Sequence, residues 1–441
     1  MQVFLRRLAA VAFLFLVAIA PAQAVTIERV HSPGGIEAWL VRDATVPLIS
    51  MRFAFRGGSR LEPAGREGLG NLVSGLLDEG AGPYDSQAFQ RAMEDISMQM
   101  SFGASRDNFR GSLRVLNEFR DRGIDLLALA LSQPRFEDEP VARIRAGTIA
   151  SLRRQSEDPQ RIAGIEFFKT VFPDHVYGRP SQGTIESVTA ITPADMRAFL
   201  ARQLVRDRLF VGVVGDIAPE ALGPLLDRAF GALPARGPAE AVPEAQVQGA
   251  GKVVVVRKKI PQSVVLLGGQ GIKRNDPDFY AAFVMNYVLG GGGFSSRLSE
   301  EVRERRGLAY AVYSYLSALD RAALVMGSVA TQNLRVKESL DLIRAEWGRM
   351  AEGGATEEEL KDAKTYINGS FPLRLDSTGA VADLLVDIQL DDLGIDYLDK
   401  RADYINAVTR ADVQRVAARL LKPDQLTVVI VGDPAGVEST P

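Results

Sequence analysis

Two stretches of the chain decide its fold, because they are copies of one another. Thr192–Asp216 reads TPADMRAFLARQLVRDRLFVGVVGD, and Thr409–Asp433 reads TRADVQRVAARLLKPDQLTVVIVGD. They align without a gap at an offset of 217 residues, and 12 of 25 positions are identical. Each copy opens with a Thr suited to a helix N-cap, continues with amphipathic spacing, and ends in a β-branched strand closed by Gly-Asp. A repeat of this period is the size of a domain, which predicts two copies of one larger fold.

The rest of the chain fits a first half at residues 25–234 and a second half at residues 252–441. Between them, residues 235–251 read ARGPAEAVPEAQVQGAG, which is poor in large apolar residues and typical of a linker. In both halves strand-like and helical patterns occur in uneven groups. This indicates the α+β class, with two tandem homologous halves, rather than a strictly alternating parallel sheet.

Composition excludes several classes of protein. The 441 residues are 46% hydrophobic and 24% charged, which is typical of a globular protein with more than one domain. The net charge of −3 provides no basic excess for nucleic acid, and no polybasic tract suggests a membrane surface. Cysteine is absent, which excludes disulfides, thiolate metal sites and a cysteine nucleophile. We therefore expect no nucleic-acid partner and no stable membrane insertion.

Residues 1–24 have the pattern of a cleavable signal peptide. Arg6 and Arg7 precede the apolar run Leu8–Ala20, and Ala-Gln-Ala at residues 22–24 supplies small residues for cleavage. The run of 13 residues is short for a membrane span, which needs roughly 20. An uncleaved N-terminal anchor is the alternative. We expect a mature chain that begins near Val25 and is located in the periplasm.

Three longer motifs resemble those of the pitrilysin/insulinase family of zinc metallopeptidases. They are GGSR at 57–60 followed by GLGNL at 68–72, HVYGRPSQGTIESVTAIT at 175–192, and LGGGGFSSRLSEEVRERRGLAYAVYS at 289–314. Members of this family, including the subunits of mitochondrial processing peptidase, are built from tandem α+β halves that face each other like a clamshell. The resemblance covers almost the whole mature chain, and it implies the same architecture here.

The metal-binding motif of that family is degenerate in this sequence. Active members carry H-x-x-E-H on a helix, where His residues at i and i+4 hold zinc and the Glu activates water. The matching positions hold Asn71, Ser74 and Gly75. The family's third ligand, a Glu from a later helix, aligns with Ala150-Ser151. The resemblance therefore implies that this chain binds no metal and that the zinc is in a partner subunit.

No other residues of the sequence replace these ligands. The chain has two His, His31 and His175, which are not at ligand spacing and which we expect to be hydrogen-bonded at the surface. Asp78 and Glu79, just after the degenerate motif, are expected to be solvated charges at a helix end.

Arg303 and Tyr310 are the candidate catalytic residues that remain. Residues 296–306 have helix-forming composition with Gly307 as a cap, and strand alternation places Tyr310 on the same face as Val312. In the family, an Arg and a Tyr at this spacing fix the substrate carbonyl and stabilise the oxyanion across from the zinc. An Arg on a solvated helix face and a Tyr packed in a sheet are the alternative.

The four glycines at residues 290–293 suggest a phosphate-binding loop, but the Lys-Ser/Thr pair that such a loop needs does not follow them. We expect them to allow a tight turn and a close backbone approach. A role in substrate handling, as for the glycine-rich loop of mitochondrial processing peptidase, is the alternative.

Together these features imply the non-metal-binding subunit of a periplasmic heteromeric zinc metallopeptidase that degrades or processes peptides. Its partner would be an H-x-x-E-H-bearing subunit of the same family, encoded by an adjacent gene, and the chain alone would not be an active peptidase. A structural or peptide-binding protein of the same fold, with no role in proteolysis, is the alternative. An independent hydrolase would need a Ser-His-Asp pattern, which the sequence does not suggest.

Overall fold

A computed structural model describes residues 26–440 of the chain and contains two β-sheets. The signal peptide predicted at residues 1–24 lies outside the described residues. Between residues 26 and 440, no helix combines the length and apolar character that a bilayer crossing would require.

The two sheets have matching strand orders. The first sheet consists of β1 Glu28–His31, β2 Glu37–Arg42, β3 Leu48–Arg56, β4 Gln99–Ala104, β5 Asn108–Leu116 and β6 Leu209–Gly215. The second consists of β7 Val253–Arg257, β8 Gln262–Gln270, β9 Ala309–Leu319, β10 Ala322–Gln332 and β11 Thr427–Gly432. The first runs β1-β2-β6-β3-β5-β4 and the second β7-β11-β8-β10-β9, with only β2·β6 and β7·β11 parallel among the described strands. Apart from β1, the halves coincide strand for strand, which confirms the α+β class with two tandem homologous halves.

Helices cover the sheets in both halves. Those before residue 235 are α1 Leu69–Ser74, α2 Ser86–Glu94, α3 Arg120–Ser132, α4 Asp138–Gln155, α5 Pro159–Val171, α6 Ile185–Ala190, α7 Pro193–Gln203 and α8 Pro219–Phe230. Those after residue 252 are α9 Phe279–Asn286, α10 Val336–Gly353, α11 Glu357–Gly369, α12 Thr378–Leu390, α13 Tyr397–Ala407 and α14 Arg410–Leu420. Two further segments, Tyr287–Gly291 and Ser299–Glu304, have the wider i→i+5 hydrogen bonding of a π-helix.

The repeated stretch forms the same helix–strand unit in both halves. Thr192 and Asp195 at the start of α7 each accept the other's backbone N–H, and Thr409 and Asp412 do the same at the start of α14. This reciprocal capping satisfies two backbone donors that a helix N-terminus otherwise leaves open. The strands that follow, β6 and β11, occupy equivalent central positions in the two sheets.

Each half supplies one helix to the core of the other half. Helix α5 packs on the second sheet, where Phe167 and Val171 lie in one apolar cluster with Leu324 and Val429. Helix α12 packs on the first sheet, where its apolar face joins the cluster around Trp39. The two helices occupy nearly the same position in the repeat. The exchange therefore ties the two halves together through apolar burial on both sides.

A buried ionic cluster also joins the halves. Arg60 lies 2.9 Å from Asp107, 2.7 Å from Asp320 and 2.8 Å from Glu240, and only 1% of its side chain is exposed. Tyr177 donates a short hydrogen bond to Asp107. Burial disfavours the charged guanidinium, but these carboxylates raise the pKa of Arg60 above its ordinary value. Because Glu240 belongs to residues 235–251, the predicted linker is held in place by this cluster although it forms no helix or strand.

Candidate functional site

The helix that matches the metal-binding motif is too short to present ligands at i and i+4. Helix α1 ends at Ser74, so Asn71 and Gly75 do not both lie within it. The hydroxyl of Ser74 donates to the Asn71 carbonyl at 2.8 Å, which turns it back onto the helix. A Cβ at position 75 would lie 3.3 Å from Ile144 of α4, so a larger side chain there would press on an apolar neighbour. The geometry at Ser74 and Gly75 therefore suits local packing of the helix end.

The family's third ligand position also has only a local role. Ser151 lies one turn before the end of α4, and its hydroxyl accepts a hydrogen bond of 3.1 Å from Gln155, the last residue of the helix. In the part of the chain that the structure describes, no cluster of three or more His, Cys, Asp or Glu side chains could hold a metal ion.

The buried side chain of Glu62 contacts the start of the degenerate helix. It is 5% exposed, and its two oxygens accept the backbone N–H groups of Gly68 at 2.8 Å and Gly70 at 2.7 Å. Burial raises the pKa of Glu62 to about 8, although both N–H donors act in the opposite direction. Glu62 therefore satisfies two backbone donors at the start of α1, a role that sequence analysis missed because Glu62 lies outside the ligand motif itself.

Both His and Glu79 have structural partners, and Asp78 is partly buried. Nε2 of His175 lies 3.1 Å from the Pro243 carbonyl, and His31 lies 3.7 Å from Glu37. The expectation of solvated charges at residues 78 and 79 is wrong. The side chain of Glu79 is 13% exposed and lies 2.6 Å from Arg143, and burial raises the pKa of Asp78.

Arg303 and Tyr310 lie side by side at the surface of the second half. The guanidinium carbon of Arg303 is 5.0 Å from the centroid of the Tyr310 ring. It also lies 4.2 Å from the centroid of the Phe294 ring. Cation–π contacts of this kind contribute about 0.5–1 kcal/mol at exposed sites. Tyr310 is 84% exposed and Phe294 69% exposed, so the three side chains form an aromatic–arginine stack open to solvent.

Two irregularities of the backbone produce this stack. The helix predicted at 296–306 is present, but Ser299–Glu304 has π-type hydrogen bonds, a conformation frequent at functional sites. Gly307 ends it with φ of 59°, in the left-handed region that favours glycine. The register of β9 on β10 then shifts, because Ala309 pairs with Thr331 while Val312 pairs with Val329. The extra residue in β9 is a β-bulge.

The bulge overturns the predicted face of Tyr310. Ala309 and Val312 are both buried in the same core, so Tyr310 and Ala311 together occupy the bulge and face solvent. Strict alternation would have placed Tyr310 with buried Val312, and that prediction is wrong. The bulge instead directs the phenol outward beside Arg303, which is a common use of bulges near functional sites.

The glycine-rich turn brings Phe294 to this stack. A Cβ at Gly290 would lie 2.6 Å from the backbone nitrogen of Ser314, so the turn passes directly against β9. This agrees with the expectation of a close backbone approach. Sequence analysis missed Phe294, although an aromatic residue that follows a glycine run within the quoted motif was the available signal.

Comparison with known proteins places the chain in a family. A family model described as peptidase M16 inactive domain matches residues 190–367. A Streptomyces coelicolor protein, described as an uncharacterized zinc protease, is 30% identical over 410 residues, which is 90% of this chain and 87% of that protein. A non-peptidase homolog of Helicobacter pylori is 28% identical over 330 residues, covering 75% of this chain and 76% of the homolog. The crystal structure of a peptidase M16 inactive domain from Pseudomonas fluorescens has a TM-score of 0.87 and 26% identity, covering 95% of this chain and 100% of that chain.

The fold and the site thus define a clamshell protein of the metallopeptidase type, in which the helix matched to the metal-binding motif has neither His nor a carboxylate. The chain belongs to the peptidase M16 family, the pitrilysin/insulinase family that its motifs resemble, and it is similar to the inactive domains of that family.

Proposed function

We propose that the chain is the non-metal-binding subunit of a heteromeric zinc peptidase in the periplasm. A partner subunit of the same family supplies the zinc and H-x-x-E-H, and this chain supplies Arg303 and Tyr310. The observation that best supports the proposal is the solvent-exposed stack of these two side chains on an irregular backbone.

The chemistry of the pair suits stabilisation of a transition state formed elsewhere. The zinc of the partner subunit would supply the hydrolytic chemistry. Hydrolysis of a peptide bond develops an oxyanion at the carbonyl, which the phenolic O–H of Tyr310 would stabilise by a hydrogen bond. The planar guanidinium of Arg303 would bind the substrate carbonyl. Glu304 lies 3.3 Å from Nε of Arg303. Exposed pairs of this kind are worth at most about 1 kcal/mol, so Glu304 does not prevent substrate binding.

Reconstitution tests the assembly. The chain is coexpressed with the H-x-x-E-H protein encoded beside it, and the two are purified through a tag on one of them. We expect a stable complex that hydrolyses a fluorogenic peptide, while each chain alone has little activity. A partner that is equally active without this chain would contradict the proposal and favour the structural alternative.

The isolated chain is expected to carry well under one zinc per molecule, because Asn71, Gly75 and Ala150-Ser151 stand at the ligand positions. The measurement is metal content by inductively coupled plasma mass spectrometry after purification in zinc-containing buffer, with the partner subunit as a positive control. Stoichiometric zinc that a chelator removes from the isolated chain would contradict this expectation.

Export is expected to remove residues 1–24. Edman sequencing of the protein from a periplasmic fraction should give a mature N-terminus near Val25. A matched variant in which Arg6 and Arg7 are replaced by Glu should accumulate in the cytoplasm as precursor. Wild-type protein recovered from the cytoplasm with Met1 intact would refute the proposed location.

A further inference from the structure

A cavity of about 380 Å³ lies between the two halves, away from Arg303 and Tyr310. Asn108 and Arg110 of the first half line one side, and Tyr280, Tyr397 and the ends of α12 and α13 line the other. Ala318 of β9 also lines the cavity, eight residues along the strand from Tyr310, which corresponds to about 26 Å. The cavity is therefore separate from the proposed catalytic stack, and its volume is within the usual range for small ligands.

Two of the arginines that line the cavity have carboxylate partners. Arg110 lies 2.6 Å from Asp387, and Nε of Arg274 lies 3.4 Å from Asp391. Arg274 also donates to the Tyr397 hydroxyl at 3.3 Å. These pairs neutralise the charges of Arg110 and Arg274 within the protein.

The other two arginines of the cavity have no such partner. Arg401 is 8% exposed, and it pairs with no Asp or Glu among residues 26–440. Its guanidinium carbon stacks 4.0 Å from the ring centroid of Phe371. Arg374, also without an acidic partner in the described chain, is exposed at the mouth. Burial above all, and the like charge of Arg374, lower the pKa of Arg401, although the neighbouring Tyr397 acts in the opposite direction.

An unpaired charge in a mostly buried position is costly, and a neighbouring charge of the same sign adds to that cost. An anion bound between Arg374 and Arg401 would remove both penalties. A guanidinium suits a carboxylate in particular, because its planar fork forms two parallel hydrogen bonds to the two oxygens. Four carboxylates also line the cavity, Asp107, Asp320, Asp387 and Asp391, and a doubly charged anion such as phosphate would meet more repulsion from them than a singly charged carboxylate would.

The rest of the cavity lining indicates the chemical character of the ligand beyond its carboxylate. Phe279, Tyr280 and Phe283 present aromatic surface, and the Tyr280 ring contacts both Arg274 and Tyr404. We propose that this cavity binds a monocarboxylate with an apolar or aromatic body, with Arg374 and Arg401 holding the carboxylate. A free carboxylic acid and the C-terminal residue of a peptide both present this chemistry.

Isothermal titration calorimetry on the full mature chain tests the site with four probes. These are 3-phenylpropionate, the peptide Ala-Ala-Ala-Ala-Phe with a free carboxylate, its C-terminal amide, and inorganic phosphate. We expect at least one of the two carboxylates to bind, and the amide and phosphate to bind at least tenfold more weakly. Binding of the peptide acid alone assigns the site to peptide C-termini, binding of 3-phenylpropionate alone assigns it to small acids, and binding of both supports the shared chemistry.

Arg374→Gln and Arg401→Gln should each weaken that binding at least tenfold. Arg374 is exposed, so its variant should remain folded even if the Arg401 variant does not. Arg335→Gln is the matched control, because Arg335 pairs with Glu338 on the surface outside the cavity and its loss should leave binding unchanged. The proposal is wrong if neither carboxylate binds, if the amide or phosphate binds as tightly, or if folded Arg374→Gln binds like the wild type.

Discussion

Replacing Tyr310 with Phe is expected to reduce the turnover of the assembled two-chain peptidase by a factor of roughly 10²–10³, because one oxyanion donor is lost. The change removes only the phenolic O–H. That group has no hydrogen-bond partner within residues 26–440, and the residue is 84% exposed, so folding should be unaffected. The Phe ring would still stack on Arg303. Steady-state hydrolysis of a fluorogenic peptide by the reconstituted complex gives the measurement, and the loss should appear mainly in kcat if the donor acts only in the transition state.

Two further variants make the Tyr310 result specific. Arg303→Lys should also impair turnover, because an ammonium cannot reproduce the planar fork of a guanidinium. Tyr313→Phe is the matched control, since Tyr313 is another exposed tyrosine of β9, at 45%, but is not stacked on Arg303. Full turnover of an intact complex containing Tyr310→Phe would contradict the complementing-subunit mechanism. The structural or peptide-binding alternative would then replace it.

The fold was predictable from the sequence because the decisive information is local and repeated. The Thr and Asp that cap α7 recur in α14, and the strands that follow them form equivalent sheet positions. Each copy alone is weak evidence for a helix–strand unit. Two copies at a fixed offset are stronger evidence, because chance seldom preserves the helix cap, the helical periodicity and the end of the strand together. The quoted motifs then carried the resemblance to the M16 family.

The partner of each exchanged helix was not predictable in this way. Helix α5 has an apolar face that either sheet could bury, and its sequence does not specify which. The choice depends on contacts between residues far apart in the chain, such as Phe167 with Leu324. The cavity at Arg401 was not predictable for the same reason, because its walls combine residues near 108, 280 and 401, which are far apart in the chain.

The candidate site was predictable in its residues but not in its geometry. The resemblance to the family's second-half motif singled out Arg303 and Tyr310, and the structure brings them together, yet alternation assigned Tyr310 to the wrong face. Alternation assumes uniform pairing along a strand, whereas the bulge depends on how Thr331 and Val329 of the neighbouring strand are paired. The sequence of one strand does not specify the register in which the neighbouring strand pairs with it.

Replacing Phe167 with Ala is expected to lower the free energy of unfolding by about 3–5 kcal/mol, the usual cost of removing a fully buried Phe side chain. Phe167 is 0% exposed, and its ring packs against Gly268, where a Cβ would lie 3.0 Å from the ring. Urea denaturation followed by circular dichroism gives the measurement, and Lys169→Ala on the exposed side of α5 is the control, with an expected change of about 0.5 kcal/mol or less.

The exchanged helices also predict how the chain unfolds. Leu385→Ala in α12 should destabilise by about 2–5 kcal/mol, because Leu385 is 0% exposed and packs on the first sheet. Since each sheet depends on a helix from the other half, neither half retains a complete core when the other unfolds. Both variants should therefore shift one common transition, observed equally by circular dichroism and by the fluorescence of Trp39 and Trp347, which report on different halves. Two separate transitions, with Phe167→Ala shifting only that of the second half, would show that the exchange contributes little to the coupling between the halves.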